Sequence, residues 1–342
     1  MKRTSKPLLL VVLLISILLS STIGCNTDRR SNPWGFDAST DVDQPAQAIV
    51  VKDLGVSQNS VCAVLDDHSL KCWGWMGWTG SVPPPSRKIR KAHQQLTPDG
   101  QFKAVEVGSG FACALRAESG EIECWHHPGD YGRVDFNPPI RRATDLEIGV
   151  HLACFRKENE QVKCWRASDV ELGELTFRNA PDTFATGGYI GCVTYPERVS
   201  CGTIGSPPND YFPPERSNTF AEQIAVGREH VAVLDDAGRT LRHAWHSDER
   251  EYLGWVTDEL REGIYSSIEA SSKLTCGILA ESSELDCWGD LATGDTRGIK
   301  EPLQVPDGPF KSIELGSGQS ACGIRPDGGM ECFGSGIPDS LR

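Results

Sequence analysis

Short apolar segments alternate with polar, turn-forming residues along most of this chain, as in the stretch VCAVLDDHSLKCWG at positions 61–74. The segments CAVL and LKCW have the length of short strands. The residues Asp66 to Ser69 between them favour a turn, because aspartate and serine side chains bond to nearby backbone groups. The pattern predicts a β-hairpin with one cysteine in each strand, Cys62 and Cys72, followed by the aromatic Trp73.

Variants of this hairpin recur down the chain, and a repeat of this kind is interpreted before any single residue. Five further units carry a cysteine pair: Cys113 and Cys124, Cys154 and Cys164, Cys192 and Cys201, Cys276 and Cys287, and Cys322 and Cys332. Another unit, HVAVLDDAGRTLRHAW, has Ala232 in place of the first cysteine and His243 or Ala244 in place of the second. Both cysteines are therefore missing together, as expected of residues that function as a pair.

The cysteine count predicts disulfides within each repeat. Of the 13 cysteines, twelve form the six pairs, and Cys25 is left over. Directly opposed Cβ atoms on antiparallel strands lie ~4.5–5.5 Å apart, which a small adjustment brings within disulfide reach. Each such bridge contributes roughly 2–3 kcal/mol to stability in the chain-entropy model. Zinc ligation is the alternative, but it favours Cys-x-x-Cys spacing, which does not occur in this sequence.

Each unit also has an upstream strand that ends in a small residue before the first cysteine. Equivalent positions repeat every 38 to 51 residues, which with three or four short strands per unit is typical of propeller blades. We therefore predict an all-β, seven-bladed β-propeller with intra-blade disulfides in six blades. The expected blades are near 48–100, 101–142, 143–182, 183–219, 220–265, 266–309 and 310–342.

The amino-terminal segment 1–24 has the pattern of a signal peptide. Lys2, Arg3 and Lys6 precede an apolar core that is too short for a comfortable membrane span of ~20 residues. The ending Thr22-Ile23-Gly24-Cys25 resembles a bacterial lipobox, so we expect Cys25 to be lipidated. The alternatives are plain cleavage that leaves Cys25 free, or an uncleaved anchor. Residues 25–47 are polar and acidic and are expected to form a flexible tether.

Charge and cysteine content narrow the function classes. The formal net charge is −13, and removing the three cations of the leader makes it −16. A nucleic-acid reader needs a basic face, so we expect no nucleic-acid partner. The short basic run Arg87 to His93 is interpreted as a solvated loop. Six disulfides require an oxidising compartment, and with the lipobox they predict a bacterial cell envelope, periplasm or cell surface.

The segments CALRAESGEIECW and LDCWGDLATGDTRGIKEPLQV resemble repeats of the regulator of chromosome condensation family. Bacterial members often carry the cysteine-bearing form that ends in Cys-Trp-Gly. The resemblance covers residues 48 to 342 and implies a seven-bladed propeller. The founding member is a nucleotide-exchange factor, a role that an acidic and exported chain does not favour. The secreted propeller β-lactamase inhibitory protein II is similar in repeat type and implies that such rings can act purely as protein binders.

Catalytic chemistry is the alternative to binding. No nucleophile motif, phosphate loop or zinc-protease helix occurs. The residues His126, His127, His243 and His246 could meet at a channel mouth of a propeller enzyme, a lyase or hydrolase, although we interpret them as solvated loop residues. The pairs Asp66-Asp67 and Asp235-Asp236 lie in predicted turns and are interpreted as turn residues. We expect no cofactor and no metal site.

Binding is the favoured function, because the connections after the second cysteine strand are long, proline-stiffened and rich in aromatics. Loops on a rigid scaffold commonly carry recognition, and rigid aromatics dominate interfaces. The candidate partner-binding residues are Trp75, Trp78, Tyr131, Phe136, Tyr211, Phe212, Tyr252 and Trp255. Packing under their own loops is the alternative for each of them, and Trp73, Trp125, Trp165 and Trp288 are expected to pack between units. We predict a non-catalytic, monomeric scaffold for a protein or glycan partner.

Overall fold

Twenty-three short β-strands make up the regular structure of the described residues. The structure, a computed structural model, describes residues 50–58, 60–74, 97–126, 138–167, 173–196, 198–205, 208–211, 221–228, 230–244, 263–272, 274–289, 303–316, 320–334, 336–338 and 341. For residues 126, 209–211 and 241–244 the backbone alone is described. All of these residues belong to one unit, Ala48–Arg342. The predicted leader, Cys25 and the predicted tether lie outside the described residues.

The strands form seven small antiparallel sheets in the described part of the chain. Sheet 1 contains β1 Val51–Ser57, β2 Ser60–Leu65 and β3 Leu70–Gly74; sheet 2 contains β4 Phe102–Val107, β5 Phe111–Arg116 and β6 Ile122–His126. Sheet 3 contains β7 Asp145–Ile148, β8 Leu152–Arg156, β9 Val162–Arg166 and β10 Glu174–Phe177; sheet 4 contains β11 Phe184–Thr186, β12 Ile190–Tyr195, β13 Arg198–Thr203 and β14 Asn209–Tyr211. Sheet 5 contains β15 Ala221–Val226, β16 His230–Asp235 and β17 Thr240–Ala244; sheet 6 contains β18 Tyr265–Ser271, β19 Leu274–Leu279 and β20 Leu285–Gly289; sheet 7 contains β21 Ser312–Leu315, β22 Ser320–Ile324 and β23 Met330–Gly334.

The predicted aspartate turns are confirmed. Asp67 Oδ1 accepts the backbone N–H of Ser69 at 2.9 Å, which closes the β2–β3 turn. Asp235, which is buried, accepts the N–H groups of Ala237 at 3.0 Å and Arg239 at 2.8 Å, and its carboxylate pairs with the Arg239 side chain. Both aspartates therefore act as turn residues.

The predicted within-repeat disulfides are also confirmed. In each of six hairpins the two cysteines are directly opposed in the strand register, as in Cys62 opposite Cys72 and Cys276 opposite Cys287. Their Cα atoms lie 4.0 or 4.1 Å apart, the close spacing of a non-hydrogen-bonded antiparallel pair. The bridges therefore fit the strand pairing and leave the hydrogen-bond ladder of each hairpin intact.

The expectation for the unit without cysteines needs one correction. Ala232 occupies the first cysteine position as predicted, but its partner in the register is Arg242, whereas His243 lies opposite Val231. With no second cysteine as a marker, the repeat pattern places the second position one or two residues too late. The five-residue turn fixes the register instead, since Leu234 pairs with Thr240 just as Val64 pairs with Leu70.

The apolar side chains of each sheet pack against a neighbouring sheet. The core of the described residues consists of seven clusters, and each cluster combines residues from two sheets, which are consecutive along the chain in six of the seven. One of them joins the ends of the unit: Val51, Leu54 and Val61 of sheet 1 pack with Cys322 and Ile324 of sheet 7. The first and last sheets are therefore neighbours in space.

One backbone hydrogen bond recurs between neighbouring sheets. Near the start of a sheet, an N–H donates to a carbonyl in the hairpin turn of the preceding sheet, as from Phe102 to His68 at 2.8 Å and from Tyr265 to Gly238 at 2.7 Å. The same bond runs from Val51 of sheet 1 to Gly328 of sheet 7 at 2.8 Å. Sheet 1 thus takes the same place after sheet 7 that every other linked sheet takes after its predecessor.

The small residues that end the upstream strands are explained by close approach between sheets. A Cβ atom built on Gly149 would lie 1.9 Å from the carbonyl oxygen of Gly187, and one built on Gly187 would lie 2.1 Å from that of Gly227. Real Cβ atoms do not approach oxygen this closely, so only glycine fits at these two positions without a backbone shift. The first strands of sheets 3, 4 and 5 are therefore in near backbone contact.

Within the described ranges, the chain contains no helix whose length and apolarity would let it cross a membrane.

Candidate functional site: a carboxylate-lined cavity and its cationic mouth

The first strands of the sheets surround a cavity, here called the central cavity. Residues of all seven sheets of the described chain line it, among them Val56, Glu106, Thr186, Val226 and Leu315. A water-sized molecule has about 50 Å³ available to it there. This is room for a few waters, since one water needs about 10–15 Å³ on this measure.

Four glutamates at one structural position line the central cavity. Glu106, Glu147, Glu269 and Glu314 each lie opposite the first cysteine of their hairpin in the strand register. The same position holds Gly55, Ala185 and Ala225 in sheets 1, 4 and 5. The carboxyl groups are therefore confined to sheets 6, 7, 2 and 3.

Burial and mutual repulsion favour the neutral form of these carboxyl groups. Burial raises the pKa of Glu269 to about 8. Burial also raises the pKa of Glu106 well above its ordinary value, with further increases from the charges of Glu314 and Glu147. Glu147 and Glu314 shift in the same direction, again mainly because of burial. At all four positions burial thus raises the pKa of the glutamate and favours its protonated form.

Asp53 belongs to the same acidic surroundings but has a structural partner. Its Oδ2 accepts the backbone N–H of Val105 in sheet 2 at 2.8 Å. Burial raises its pKa to about 6 despite that bond. At the matching place in sheet 5, the Gln223 side chain bonds to both the N–H and the carbonyl of Ile268 in sheet 6. The Asp53 side chain therefore links sheets 1 and 2 as the Gln223 side chain links sheets 5 and 6.

The glutamates alone do not make a metal centre. Among the residues described, no group of three or more His, Cys, Asp or Glu side chains is placed to hold a metal ion. A cavity of about 50 Å³ also leaves no space for an organic substrate beside the carboxyl groups.

A cationic and aromatic group of four side chains lies near one end of the central cavity. Three members follow the first strands of sheets 3, 4 and 5, namely His151, Tyr189 and Arg228. The fourth, Arg166, ends β9 and lies opposite Leu152 in the strand register. These four residues are called the mouth cluster below.

Three members of the mouth cluster, His151, Tyr189 and Arg166, contact one another through their rings and the Arg166 guanidinium group. The His151 and Tyr189 rings stack with centroids 4.4 Å apart and planes 22° from parallel. The guanidinium carbon of Arg166 lies 5.2 Å from the Tyr189 ring centroid. Tyr189 nevertheless remains 48% exposed, one of two large hydrophobic side chains in the described core and surface with that much exposure. An ordered aromatic ring is therefore presented to solvent.

The mouth cluster is electropositive. Partial burial lowers the pKa of His151, and the nearby charges of Arg228 and Arg166 lower it further. In the part of the chain that is described, neither arginine has a carboxylate within ion-pair distance. Arg166 Nε is buried and has no hydrogen-bond partner among the described residues. The cluster thus has donor capacity that the described protein groups do not use.

The structure leaves most of the predicted partner-binding aromatics untested. Tyr211 ends the short strand β14, with only its backbone described. The other candidates lie outside the described residues: Trp75, Trp78, Tyr131, Phe136, Phe212, Tyr252 and Trp255. The interpretation of four histidines as loop residues needs a correction, because His126 and His243 lie in the third strands of sheets 2 and 5. His127 and His246 lie outside the described residues.

The register does place the starts of the long connections. Gly74, the last residue of β3, pairs with Ser60 beside the β1–β2 turn, and His126 pairs with Phe111 beside the β4–β5 turn. The mouth cluster lies at the same end of its sheets, since Arg166 and Leu152 are the corresponding pair in sheet 3. The connections after β3 and β6 therefore leave their sheets at the end that carries the mouth cluster. Strand β14 runs back from that end and places Tyr211 opposite Val199, near the β12–β13 turn, so Tyr211 does not lie at the mouth end.

The tryptophans predicted to pack between units do so. Trp165 is buried in the cluster shared by sheets 2 and 3. Trp125 packs against the cluster shared by sheets 1 and 2, and Trp288 packs against the cluster shared by sheets 5 and 6. Trp73 packs against the cluster between sheets 7 and 1.

Sequence reasoning missed the glutamates and the mouth cluster. A signal for the glutamates was present, because Glu106, Glu147 and Glu314 each stand two residues before the small residue that ends the upstream strand. For the mouth cluster no comparable signal exists, because its members come from three units and share no spacing.

Comparison with known proteins establishes the fold type. No family model matches the chain. The crystal structure of the CRINKLY WD40 ectodomain from the Arabidopsis thaliana receptor kinase ACR4 is similar, with a TM-score of 0.60 and 18% identity over 86% of this chain and 98% of that one. The ectodomain of the Physcomitrella patens receptor kinase CR4 is also similar, with a TM-score of 0.57 and 18% identity over 85% of this chain and 74% of that one.

The structure of yeast RCC1 (Prp20) bound to Kap60 is a third similar structure. It has a TM-score of 0.54 and 13% identity over 84% of this chain and 80% of the matched chain. At these identities the likeness concerns the fold alone. The small antiparallel sheets with six internal disulfides thus form an RCC1-like β-propeller.

Proposed function

We propose that this chain is an exported, lipid-anchored, non-catalytic scaffold that binds a protein or glycan partner through its loop-rich end. The observation that carries the proposal is the exposed, stacked Tyr189 with Arg166 and Arg228 beside it, at the end of the sheets from which the connections after β3 and β6 leave. Among the described residues, neither arginine has a carboxylate partner. Aromatic and arginine side chains are the groups that most often dominate protein interfaces.

The scaffold is proposed to be a closed ring of seven blades. Its support is the packing of sheet 1 against sheet 7 and the recurrent backbone bond, which also runs from Val51 to Gly328. A ring in which every sheet is covered by two neighbours protects its edges and holds the loops rigidly. Rigid support lowers the entropy lost when loops bind a partner.

The proposed location is the bacterial cell envelope. Six disulfides indicate an oxidising compartment. The signal-peptide pattern and the lipobox-like ending support export and lipidation of Cys25. Mass spectrometry of the mature protein tests this part: a diacylglycerol adduct on Cys25 is expected, and an unmodified amino terminus at Cys25 would contradict it.

A protein partner has a precedent among the similar structures, since yeast RCC1 (Prp20) was crystallised bound to Kap60. The predicted aromatics Trp75, Trp78, Tyr131, Phe136, Tyr252 and Trp255 are proposed to add to the binding end. A propeller enzyme with acid and base groups in the central cavity is the second candidate, favoured by the four glutamates. The cavity volume of about 50 Å³ argues against it. A nucleotide-exchange role is less favoured still, because the chain is acidic with a net charge of −13.

Affinity capture from the native cell envelope tests the scaffold. The mature protein is compared with a Trp75→Ala, Trp255→Ala double variant and with Glu158→Ala. The control residue Glu158 is exposed in the β8–β9 turn, at the opposite end of sheet 3. We expect the tryptophan changes to remove specific partners and the control change to retain them. An identical set of captured proteins and glycans from all three would contradict the proposal.

A further inference from the structure

We propose that the mouth cluster binds the carboxylate side chains of an acidic protein segment, with Arg166 and Arg228 as the donors and Tyr189 as the neighbouring contact. This inference rests on the proposed function, because it assigns the chemistry of the partner at that end of the protein. The residues were not among the aromatics that the sequence pointed to. They are contributed by three consecutive sheets, so the site exists only in the folded chain.

Charge is the first argument for an anionic ligand. The chain as a whole carries −13, yet this end of sheets 3 to 5 concentrates two guanidinium groups without a carboxylate partner among the described residues. Surface arginines in an acidic protein have many possible intramolecular partners, so two that lack one point to an external anion.

An unused donor is the second argument. Among the described residues, the buried Arg166 Nε has no hydrogen-bond partner, and the guanidinium carbon lies 5.2 Å from the Tyr189 ring centroid. A buried donor without a partner is destabilising unless water or a ligand satisfies it. A carboxylate suits this need, because its two oxygens match the planar fork of a guanidinium.

The positions of the cluster members are fixed by backbone contacts, which is the third argument. Val150 N–H donates to Gly187 O at 3.0 Å, Ala167 N–H donates to His151 O at 2.9 Å, and Arg228 N–H donates to Ser272 O at 2.9 Å. These bonds fix the backbone of the segments that carry His151, Arg166 and Arg228. The site is thus organised before any ligand arrives, which reduces the entropy lost on binding.

A peptide carboxylate fits better than an acidic sugar. Sugars bind aromatic residues by stacking on an open ring face, but the His151 ring already stacks on Tyr189 at 4.4 Å and Arg166 lies over the same ring at 5.2 Å. Both contacts reduce the open ring face on which a sugar could stack. The hydroxyl group of Tyr189 can hydrogen-bond a peptide that runs across the mouth.

Fluorescence anisotropy with labelled probes tests the inference. The mature protein is titrated into a peptide of alternating glutamate and glycine, into the same peptide with glutamine, and into an oligogalacturonate as the acidic glycan. We expect binding of the glutamate peptide and none of the glutamine peptide. Substituting Arg228→Gln or Arg166→Gln should each weaken binding about fivefold, the scale of an exposed ion pair.

Arg141→Gln is the matched control, because Arg141 is exposed beside the start of sheet 3, at the end away from the mouth cluster. It should bind the glutamate peptide as the unsubstituted protein does. Circular dichroism checks that each variant folds, and Arg228→Gln keeps the test valid if Arg166→Gln does not fold, since Arg228 is exposed.

Three results would overturn the inference: equal binding of both peptides, binding that Arg228→Gln leaves unchanged, or binding of the oligogalacturonate alone. None of these affects the capture experiment, which depends on Trp75 and Trp255. Capture that remains sensitive to the tryptophans would leave the scaffold function standing while the carboxylate site is rejected. Peptide binding without captured partners would instead support the carboxylate site and reject the scaffold function.

Discussion

The hydroxyl group of Ser320 donates a 2.9 Å hydrogen bond to the backbone carbonyl oxygen of Ser57, a residue 263 positions earlier in the chain. Ser320 begins β22 of sheet 7 and is fully buried, and Ser57 ends β1 of sheet 1. The bond lies beside the apolar cluster that those two sheets share. The contact between the two ends of the unit is therefore both apolar and specifically hydrogen-bonded.

Substituting Ser320→Ala should destabilise the protein by about 1–3 kcal/mol, because the buried carbonyl of Ser57 loses its donor. Chemical denaturation followed by tryptophan fluorescence measures the change. Ser109→Ala is the control, since Ser109 is exposed and follows the first strand of sheet 2. Equal stability of Ser320→Ala and Ser109→Ala would show that the bond does not contribute to holding the two sheets together.

Sheet 5, which has no disulfide between its second and third strands, should accept an engineered one. Ala232 and Arg242 occupy the register position that the cysteine pairs occupy elsewhere, so Ala232→Cys with Arg242→Cys should form a disulfide. We expect a gain of roughly 2–3 kcal/mol that is lost on reduction. Non-reducing mass spectrometry and denaturation with and without reductant measure both effects. Pairing Ala232→Cys with His243→Cys should give free thiols, because side chains one position along point to the opposite face; a bridge there would contradict the assigned register.

Because the first strands of neighbouring sheets are in near contact, replacing Gly187 should destabilise the protein far more than replacing the adjacent Gly188. Gly187→Ala should cost about 3 kcal/mol, since its Cβ would lie 2.1 Å from the oxygen of Gly227 and the backbone must move. Gly188→Ala should change stability by less than about 0.5 kcal/mol, because the new methyl would meet the flexible Arg228 side chain at 3.2 Å. Thermal unfolding of both variants is the measurement. Similar melting temperatures for the two variants would contradict the close approach of Gly187 to Gly227.

The carboxyl groups of the central cavity predict a stability that falls as pH rises. Glu269 has a pKa of about 8 in the folded protein against an ordinary 4.5, so the folded state holds the proton over a range where the unfolded state has lost it. Stability is therefore full below about pH 4.5 and decreases as pH rises through about 8. At about 1.4 kcal/mol for each pKa unit, Glu269 alone corresponds to a loss of up to about 5 kcal/mol between these limits, and the neighbouring glutamates act in the same direction.

Glu269→Gln should flatten this pH profile and raise stability at pH 8, because the amide cannot ionise and its oxygen can still accept the Ala270 N–H. Urea denaturation across the pH range measures it, with Glu158→Gln as the exposed control. A parallel profile for Glu269→Gln and the unsubstituted protein would exclude Glu269 as a source of the pH dependence.

Local features were predictable from the sequence, because the residues that determine them are close in the chain. The turn at Asp67 and the pairing of Cys62 with Cys72 depend on a hairpin of fewer than fifteen residues, and both are as expected. The partner of Ala232 was misplaced for a related reason. Without a second cysteine as a marker, the repeat pattern does not reveal the register that the turn length fixes.

Features that depend on how sheets meet were not predictable in the same way. Glu106 and Glu314 are far apart in sequence, and only the packing of sheet 7 on sheet 1 and sheet 1 on sheet 2 brings their charges together. The contact between His151 and Tyr189 likewise crosses from sheet 3 to sheet 4. No single repeat contains such a pair, so reading one unit at a time does not show it.

The bridges each join cysteines that are only nine to eleven residues apart, and none reaches into a second sheet. Both thiols of a hairpin thus emerge almost together from a ribosome or a translocation pore. If an oxidase acts on the growing chain, the first cysteine of each hairpin therefore meets its correct partner first. Cysteines that emerge later then find no free thiol in that hairpin to react with. Maturation of this protein therefore needs an oxidant more than it needs an isomerase.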